Sequence, residues 1–266
     1  MSSGKPQQEI DIFKKKLASN QLIIGTTVTL TDSSVTELLS WTGFDFLWID
    51  MEHTAIEKKD ILQHIIAAEG TGTATLVRIP WNDPVLVKPI LDMGPSGVIF
   101  PMIRSVEEAK RAIASCLYPP RGIRGFAPIR AAQYGGYDAI EYINDHDQKI
   151  LKMIQIEHID AVHCLEEIVK VEGIDALIVG PMDLTGSMGK LGQLRDPEVL
   201  KVMDRIGEVV SKTNIPLGIA FGYNHQIVKE WIDRGIKFLC INGDIGFIQS
   251  GAKELLRDFN QRFQLL

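Results

Sequence analysis

Residues 46–79 read FLWIDMEHTAIEKKDILQHIIAAEGTGTATLVRI, and this stretch decides the fold. Two runs rich in β-branched and aromatic residues, Phe46–Asp50 and Thr75–Ile79, enclose a segment of helical period, Lys58–Glu69. Both runs are apolar almost throughout, which is typical of strands buried on both faces of a parallel sheet. The stretch therefore predicts a strand, a right-handed crossover helix and a second strand parallel to the first.

The same alternation of short apolar runs and longer amphipathic segments continues along the chain. Eight repeats of this unit favour a closed barrel, the α/β class of (β/α)8 TIM barrels, over an open sheet. An open dinucleotide-binding sheet would carry G-x-G-x-x-G after its first strand, where this sequence has Thr29-Leu-Thr-Asp32. The predicted strands are Leu22–Val28, Phe46–Asp50, Thr75–Ile79, Gly97–Phe100, Leu151–Glu157, Ala176–Val179, Pro216–Ala220 and Phe238–Ile241, and the amphipathic segments between them include Lys58–Glu69, Val106–Leu117, Pro197–Lys212 and Asn224–Arg234.

Composition sets limits on the kind of protein. The 266 residues are 45% hydrophobic and contain no Pro/Gly/Ser-rich linker, which predicts one domain over residues 1–266. The net charge is −6 and the only cationic run is Lys14–Lys16, so nucleic acid is not an expected partner. The three cysteines form no CxxC pair, and no long apolar window occurs. We expect a cytoplasmic protein without a membrane partner.

Polar residues follow five of the predicted strands. Because chemistry in such barrels lies at the carboxyl ends of the strands, these residues are expected to meet at one mouth. They are Asp50-Met-Glu-His53, Arg78, Gln155-Ile-Glu157, Gly180-Pro-Met-Asp183 and Asn242-Gly-Asp244.

Glu157 and Asp183 are the predicted metal ligands, because oxygen donors on successive strands suit a hard divalent cation. The alternative is that each carboxylate caps the helix that follows it. Arg78 ends a buried strand and must face either a bound anion at the mouth or an acidic partner. His53 titrates near neutrality and is the predicted general base, and its alternative is a structural role.

The positions of lysine separate imine chemistry from metal-assisted chemistry on a carbonyl substrate. An imine-forming enzyme needs an amine at the carboxyl end of a strand. No lysine occupies such a position, since Lys152 and Lys237 lie at strand starts. A metal-stabilised enolate is therefore favoured over an imine.

Five ordered segments resemble the HpcH/HpaI class II aldolases, which include 4-hydroxy-2-oxoheptanedioate aldolase and 2-keto-3-deoxy sugar-acid aldolases. The likeness runs from about Leu22 to Ile245. It implies a TIM barrel of the phosphoenolpyruvate/pyruvate-domain type. The segments are Gly43-Phe-Asp-Phe-Leu-Trp-Ile-Asp-Met-Glu-His53, Val77-Arg-Ile-Pro80, Tyr118-Pro-Pro-Arg-Gly-Ile-Arg-Gly125, Gln155-Ile-Glu157 and Gly180-Pro-Met-Asp-Leu184 with Ser187-Met-Gly189.

The resemblance implies that Glu157 and Asp183 bind Mg²⁺, Mn²⁺ or Co²⁺, and that Asp50 holds a metal-bound water. Arg78 would contact the keto oxygen and steady the enolate, while Gln155 would line the pocket. Backbone N–H groups near Met182 and Asp183 would bind the pyruvate carboxylate.

The resemblance also implies proton transfer by His53, oriented by Asp92 of a neighbouring subunit. The expected assembly is a homohexamer, a trimer of dimers, in which C-terminal helices are exchanged and the apolar end Phe263–Leu266 docks on a partner. The expected reaction is the reversible cleavage of a 4-hydroxy-2-oxo acid to pyruvate, or a related 2-oxo acid, and an aldehyde. Alternatives are an oxaloacetate decarboxylase, an acyl-CoA lyase and a non-catalytic barrel that binds a 2-oxo acid.

The sequence departs from the family pattern at three places. Thr26 and Thr27 stand where relatives often have tryptophan, Gly94-Pro95 replaces Gly-Ala, and His158 replaces a small hydroxyl residue. These changes spare the proposed metal ligands and base. They are expected to alter the pocket wall on the aldehyde side, which the segment Gly122–Gly136 is also expected to shape.

Overall fold

The computed structural model describes residues 5–19 and 21–263. Eight parallel strands close into a barrel in chain order, with helices between them, as the sequence predicts. The strands are β1 Ile23–Val28, β2 Phe46–Asp50, β3 Ala74–Arg78, β4 Gly97–Phe100, β5 Leu151–Ile156, β6 Ala176–Val179, β7 Leu217–Phe221 and β8 Phe238–Gly243. Predicted boundaries differ by one or two residues, for example at Pro216, which has no backbone N–H to donate and precedes β7.

Helices surround the barrel, and two 3₁₀ turns, Gln133–Gly135 and His146–Gln148, flank α6. None of the helices within the described residues is long and apolar enough to span a bilayer. The helices are α1 Lys5–Ala18, α2 Ser33–Trp41, α3 Lys58–Ala68, α4 Pro84–Met93, α5 Val106–Cys116, α6 Ala139–Asp145, α7 Ile159–His163, α8 Leu165–Ile168, α9 Pro181–Ser187, α10 Pro197–Val210, α11 His225–Asp233 and α12 Asp244–Phe263.

Side chains alternate between the inside of the barrel and the layer beneath the helices, as the two-residue period of a strand requires. On β2, Phe46 and Trp48 belong to the interior cluster, whereas Leu47 and Ile49 belong to the outer cluster. Continuing the inward rows toward the carboxyl ends of the strands leads to polar or small residues. The barrel therefore has an apolar floor and a polar mouth. The inward residues at the mouth are Thr27, Asp50, Arg78, Gln155, Gly180 and Asn242.

Three phenylalanine rings close the amino end of the barrel. Phe13 of α1 packs edge-on against Phe46 and Phe238, at centroid distances of 6.0 and 6.2 Å. Two glycines make room for the strand rings, because an added Cβ would lie 2.5 Å from the Phe46 ring at Gly25 and 2.1 Å from the Phe238 ring at Gly218. Helix α1 thus plugs the amino end of the described barrel, and the polar carboxyl end is the one that remains open.

The segment Gly122–Gly136 lies at the amino end of the barrel, so the expectation that it shapes the pocket of its own barrel is wrong. It connects the end of α5 to the start of β5, and such a connection runs to the amino ends of the strands. Arg130 Nη1 donates to the carbonyl of Met93 at the end of α4, at 2.6 Å. The resemblance-based expectation for Phe263–Leu266 falls mostly on residues 264–266, outside the described residues.

Candidate active site

A cavity of about 410 Å³ opens at the carboxyl ends of the strands. It brings together side chains from β1, β2, β3, β5 and β8 with the start of α9, although these residues are far apart in sequence. Most of the predicted site residues therefore share one cavity. Its lining includes Thr27, Trp48, His53, Arg78, Gln155, Glu157, Gly180, Met182, Asp183, Cys240 and Asn242.

Arg78 and Asp50 form a two-point ion pair. Arg78 Nε donates to Asp50 Oδ1 at 2.9 Å, and Nη2 donates to Oδ2 at 2.6 Å. The third nitrogen, Nη1, lies 2.9 Å from Glu52 Oε2 and 3.5 Å from Gln155 Oε1. Burial opposes the charge, but the bonds to Asp50 leave the pKa of Arg78 raised. The guanidinium thus remains a fixed cation at the cavity wall, and both readings of Arg78, acidic partner and anion contact, are compatible.

Glu157 is a buried carboxylate whose two oxygens are both oriented by donors. Oε1 accepts from the backbone N–H of Met102 at 2.6 Å, and Oε2 accepts from Gln155 Nε2 at 2.7 Å. Burial raises its pKa to about 7, and the charges of Glu52 and Asp183 act in the same direction. Helix α7 is capped by His158 instead, so Glu157 is not the helix cap that the alternative reading required.

Position 180, beside the Glu157 carboxylate, has space only for glycine. A Cβ built at Gly180 would lie 2.3 Å from Glu157 Oε2. The tight approach brings the end of β6 against the end of β5. It also brings Asp183, three residues further on in the first turn of α9, to the same cavity.

The donor set suits a divalent cation. Glu157 and Asp183 offer oxygen ligands at one cavity, and the charges of Glu52 and Asp183 add to the effect of burial in raising the pKa of Glu157. No group of three or more His, Cys, Asp or Glu side chains suited to a metal occurs within residues 5–19 and 21–263. A pair of carboxylates would leave coordination positions for water and substrate.

Glu52 connects the predicted base to the cation. Its Oε2 lies 3.6 Å from His53 Nε2 and 2.9 Å from Arg78 Nη1. Burial raises the pKa of Glu52, whereas Arg78 lowers it. The His53 side chain is 61% exposed, so its ring remains accessible at the rim of the cavity. The sequence alone assigned no role to Glu52.

Asp92 lies apart from these residues. It is on the last turn of α4, and its Oδ1 accepts from Arg124 Nη2 at 2.6 Å. Gly94, with φ of 77°, ends the helix in the left-handed conformation. The carboxylate thus belongs to the amino end of its own barrel, as its position along α4 predicts. Its contact with His53 of a neighbouring subunit stays a prediction.

Two lining residues received no role from the sequence, although Asn242 was expected at the mouth. Trp48 lies in the inward row of β2, two residues before Asp50, and the two-residue period would have identified it. Asn242, the last residue but one of β8, has a positive φ of 60°, a backbone conformation that asparagine tolerates better than most residues. No sequence pattern predicts that conformation.

The sequence and the fold have counterparts among known proteins. Residues 24–242 match the family model described as HpcH/HpaI aldolase/citrate lyase. The chain is 35% identical to 2-dehydro-3,6-dideoxy-6-sulfogluconate aldolase of Pseudomonas putida, covering 88% of this chain and 91% of the relative. It is 32% identical to 5-keto-4-deoxy-D-glucarate aldolase of Escherichia coli O6:H1, covering 94% of this chain and 96% of the relative.

A solved structure gives the same result for the fold. The HpcH/HpaI aldolase from Desulfitobacterium hafniense DCB-2 superposes with a TM-score of 0.86 at 27% identity, covering 93% of this chain and 96% of that one. The family is generally dependent on a divalent metal. Its aldolase members break or form carbon–carbon bonds. The chain belongs to the HpcH/HpaI aldolase/citrate lyase family and is a carbon–carbon lyase of the aldolase type.

Proposed function

We propose that the protein catalyses the reversible retro-aldol cleavage of a 4-hydroxy-2-oxo acid to pyruvate, or a related 2-oxo acid, and an aldehyde. The observation that carries this proposal is the placement of the Arg78 cation and the Glu157 and Asp183 carboxylates around one cavity. A metal-dependent aldolase needs both a cation for the developing enolate oxygen and a site for a Lewis acid.

Glu157 and Asp183 would hold Mg²⁺, Mn²⁺ or Co²⁺. When bound, such an ion supplies Lewis-acid stabilisation of the negative charge that develops on the 2-oxo acid. Gln155 orients the Glu157 carboxylate toward the proposed ion, because its amide accepts a hydrogen bond from Arg78 and donates one to Glu157. Asp50, with both oxygens bonded to Arg78, would also hold a water at the metal.

The chain supplies groups for the substrate and for proton transfer. Arg78 Nη1 would contact the keto oxygen, since it is the guanidinium nitrogen that Asp50 leaves free. Backbone N–H groups near Met182 and Asp183 would bind the carboxylate. His53 would accept the proton of the 4-hydroxyl group before the C3–C4 bond breaks, and Glu52 lies beside its ring.

The site would be completed by a second subunit, which supplies Asp92 to orient His53. This arrangement is consistent with the amino-end position of Asp92 and with the exposed apolar residues of α12. Among those residues are Ile248, Leu255, Leu256, Phe259 and Phe263. The proposed assembly is a homohexamer built as a trimer of dimers.

The relatives act on sugar-derived acids, as the names sulfogluconate aldolase and 5-keto-4-deoxy-D-glucarate aldolase state. We therefore infer a hydroxylated aldehyde as the second product. The experiment is to measure pyruvate release from a panel of 4-hydroxy-2-oxo acids before and after treatment with EDTA. Release that EDTA abolishes and Mg²⁺ or Mn²⁺ restores supports the proposal, and the absence of release from every panel member contradicts it.

A further inference from the structure

Trp48 occupies an inward position on β2, between Phe46 at the barrel floor and Asp50 at the mouth. Its side chain lines the cavity of the site, although the residue is only 2% exposed. A tryptophan at this depth contacts whatever fills the bottom of the cavity. None of the roles assigned above involves it.

The indole ring holds the Arg78 guanidinium from a second direction. Arg78 Cζ lies 5.2 Å from the centroid of the Trp48 ring. Tryptophan is the strongest aromatic partner for a cation, and the attraction grows when water is excluded. Asp50 binds two guanidinium nitrogens, so the carboxylate and the ring together fix the direction of the remaining nitrogen, Nη1.

The indole N–H of Trp48 has no acceptor. The nitrogen is buried, and nothing within residues 5–19 and 21–263 accepts a hydrogen bond from it. A buried donor without a partner is destabilising and therefore uncommon in native proteins. On the wall of a ligand cavity the ligand can supply the acceptor, and a 2-oxo acid brings carboxylate and keto oxygens.

A small residue of the neighbouring strand lies beside the indole. Thr27 of β1 pairs with Trp48 in the strand register, so both residues lie side by side on the inner face. Threonine is small, and its Oγ1 lies 3.3 Å from Cys240 Sγ, across the β1–β8 boundary. The hydroxyl thus contacts a neighbour other than Trp48, and it does not serve as the acceptor of the indole N–H.

We propose that Trp48 is a substrate-binding and positioning residue: its ring fixes the Arg78 guanidinium, and its N–H donates to an oxygen of the bound 2-oxo acid. This inference rests on the proposed function, because it takes a 2-oxo acid as the ligand. It assigns a second determinant of binding, deeper in the barrel than Arg78.

Intrinsic fluorescence tests the binding part directly. Pyruvate is titrated into the enzyme with Mg²⁺ present, and tryptophan emission is recorded for wild type, Trp48→Phe and Trp41→Phe. Trp41 is the matched control because it is 77% exposed on α2, outside the cavity. We expect a saturable change in emission for wild type and Trp41→Phe and none for Trp48→Phe.

Steady-state kinetics separate the two contributions of the side chain. Trp48→Phe keeps a ring but lacks the N–H, so KM should rise about tenfold while kcat changes little. Trp48→Leu lacks both, so kcat/KM should fall further. In an Arg78→Lys background the further loss from Trp48→Phe to Trp48→Leu should largely disappear, because the ring acts through that guanidinium, whereas the loss caused by removing the N–H should remain.

The outcomes distinguish this role from packing alone. A difference between Trp48→Phe and Trp48→Leu that persists in full in the Arg78→Lys background, or an unchanged fluorescence response in Trp48→Phe, overturns the inference. Trp48→Phe keeps the test valid if Trp48→Leu folds poorly. A wild-type enzyme that shows neither pyruvate release nor a fluorescence response contradicts the proposed function itself. A wild type that shows both, with Trp48→Phe indistinguishable from it, contradicts only the role of Trp48.

Discussion

Asp50 and Arg78 are register partners on adjacent strands, and their side chains meet in a two-point ion pair of 2.9 and 2.6 Å at the barrel mouth. Because both residues point inward from rigid strands, the cation has little freedom to follow a substrate. The Arg78 guanidinium is therefore held in position before a ligand binds. Such preorganised charge is the most effective kind for stabilising a developing anion.

Arg78→Lys should lower kcat/KM strongly even though the charge is retained. Lysine has no planar fork, so it cannot bond to Asp50 at two points and still present a nitrogen to the keto oxygen. We expect a loss of roughly 3 kcal/mol in transition-state stabilisation, which is about a hundredfold in rate. The measurement is steady-state pyruvate release. Activity within twofold of wild type would show that Arg78 only pairs with Asp50.

Glu157→Ala and Asp183→Ala should each lose divalent-ion binding and activity together. Each change leaves the proposed ion with one protein carboxylate. Binding of Mn²⁺ is followed by electron paramagnetic resonance, which reads the site without an assay of turnover. Glu166→Ala is a suitable control, because that carboxylate pairs with Arg205 on the helices away from the cavity. Unchanged Mn²⁺ affinity in both site variants would contradict the assigned ligands.

Mixed oligomers test the contribution of Asp92 from a second subunit. Inactive His53→Ala and Asp92→Ala proteins are dissociated, mixed and reassembled. Hybrid sites that take both residues from intact parents should restore part of the activity.

The control for this experiment mixes His53→Ala with Glu157→Ala. His53 and Glu157 line the same cavity of one chain, so no hybrid of these parents contains a complete site. Recovery in the first mixture alone supports shared sites. Its absence from confirmed hybrids places Asp92 in a structural role with Arg124.

Glu9 should make the protein less stable as the pH rises toward neutrality. Burial raises the pKa of Glu9 to about 7 from its ordinary value of 4.5, so the folded chain holds this proton more tightly than the unfolded chain. The stabilisation is complete below about pH 4.5 and is lost as the pH rises through about 7. Glu9→Gln should therefore increase the free energy of unfolding by roughly 1 to 3 kcal/mol at pH 8.

The measurement for Glu9 is denaturant unfolding at pH 4.5 and pH 8. The variant and wild type should differ much less at the lower pH, where the wild-type carboxyl is protonated. Asp11→Asn on the same helix is the comparison, since the Asp11 side chain is exposed whereas Glu9 is buried. An equal difference at both values of pH would contradict the assignment.

Periodicity explains what the sequence could predict. The alternation of short apolar runs with amphipathic segments predicts all eight strands. Because functional residues of such barrels lie at the carboxyl ends of the strands, the same pattern predicts that Arg78, Glu157 and Asp183 meet at one mouth. The position of Glu52 between His53 and Arg78 could not be predicted in the same way. It depends on the path of the loop after β2, and loop conformation has no fixed period.

The contacts of the segment Gly122–Gly136 could not be predicted from the sequence either. Its arginines looked like pocket residues, but Arg124 pairs with Asp92, which is 32 positions away, at the opposite end of the barrel. Connection order alone would have located the segment there, because it leads from a helix into a strand. Which partners its arginines find depends on tertiary packing between two loops.

The phenylalanine plug at the amino end has a consequence for how this chain could be altered. Phe13, Phe46 and Phe238 hold the scaffold together at the end farthest from the mouth, on the same strands that carry Asp50 and Asn242. The amino halves of these strands therefore contribute to stability, and their carboxyl halves contribute to substrate specificity. Loops at the mouth can be exchanged to select new aldehydes while the phenylalanine layer is left untouched. Heat tolerance can likewise be improved through that layer without retuning the chemistry.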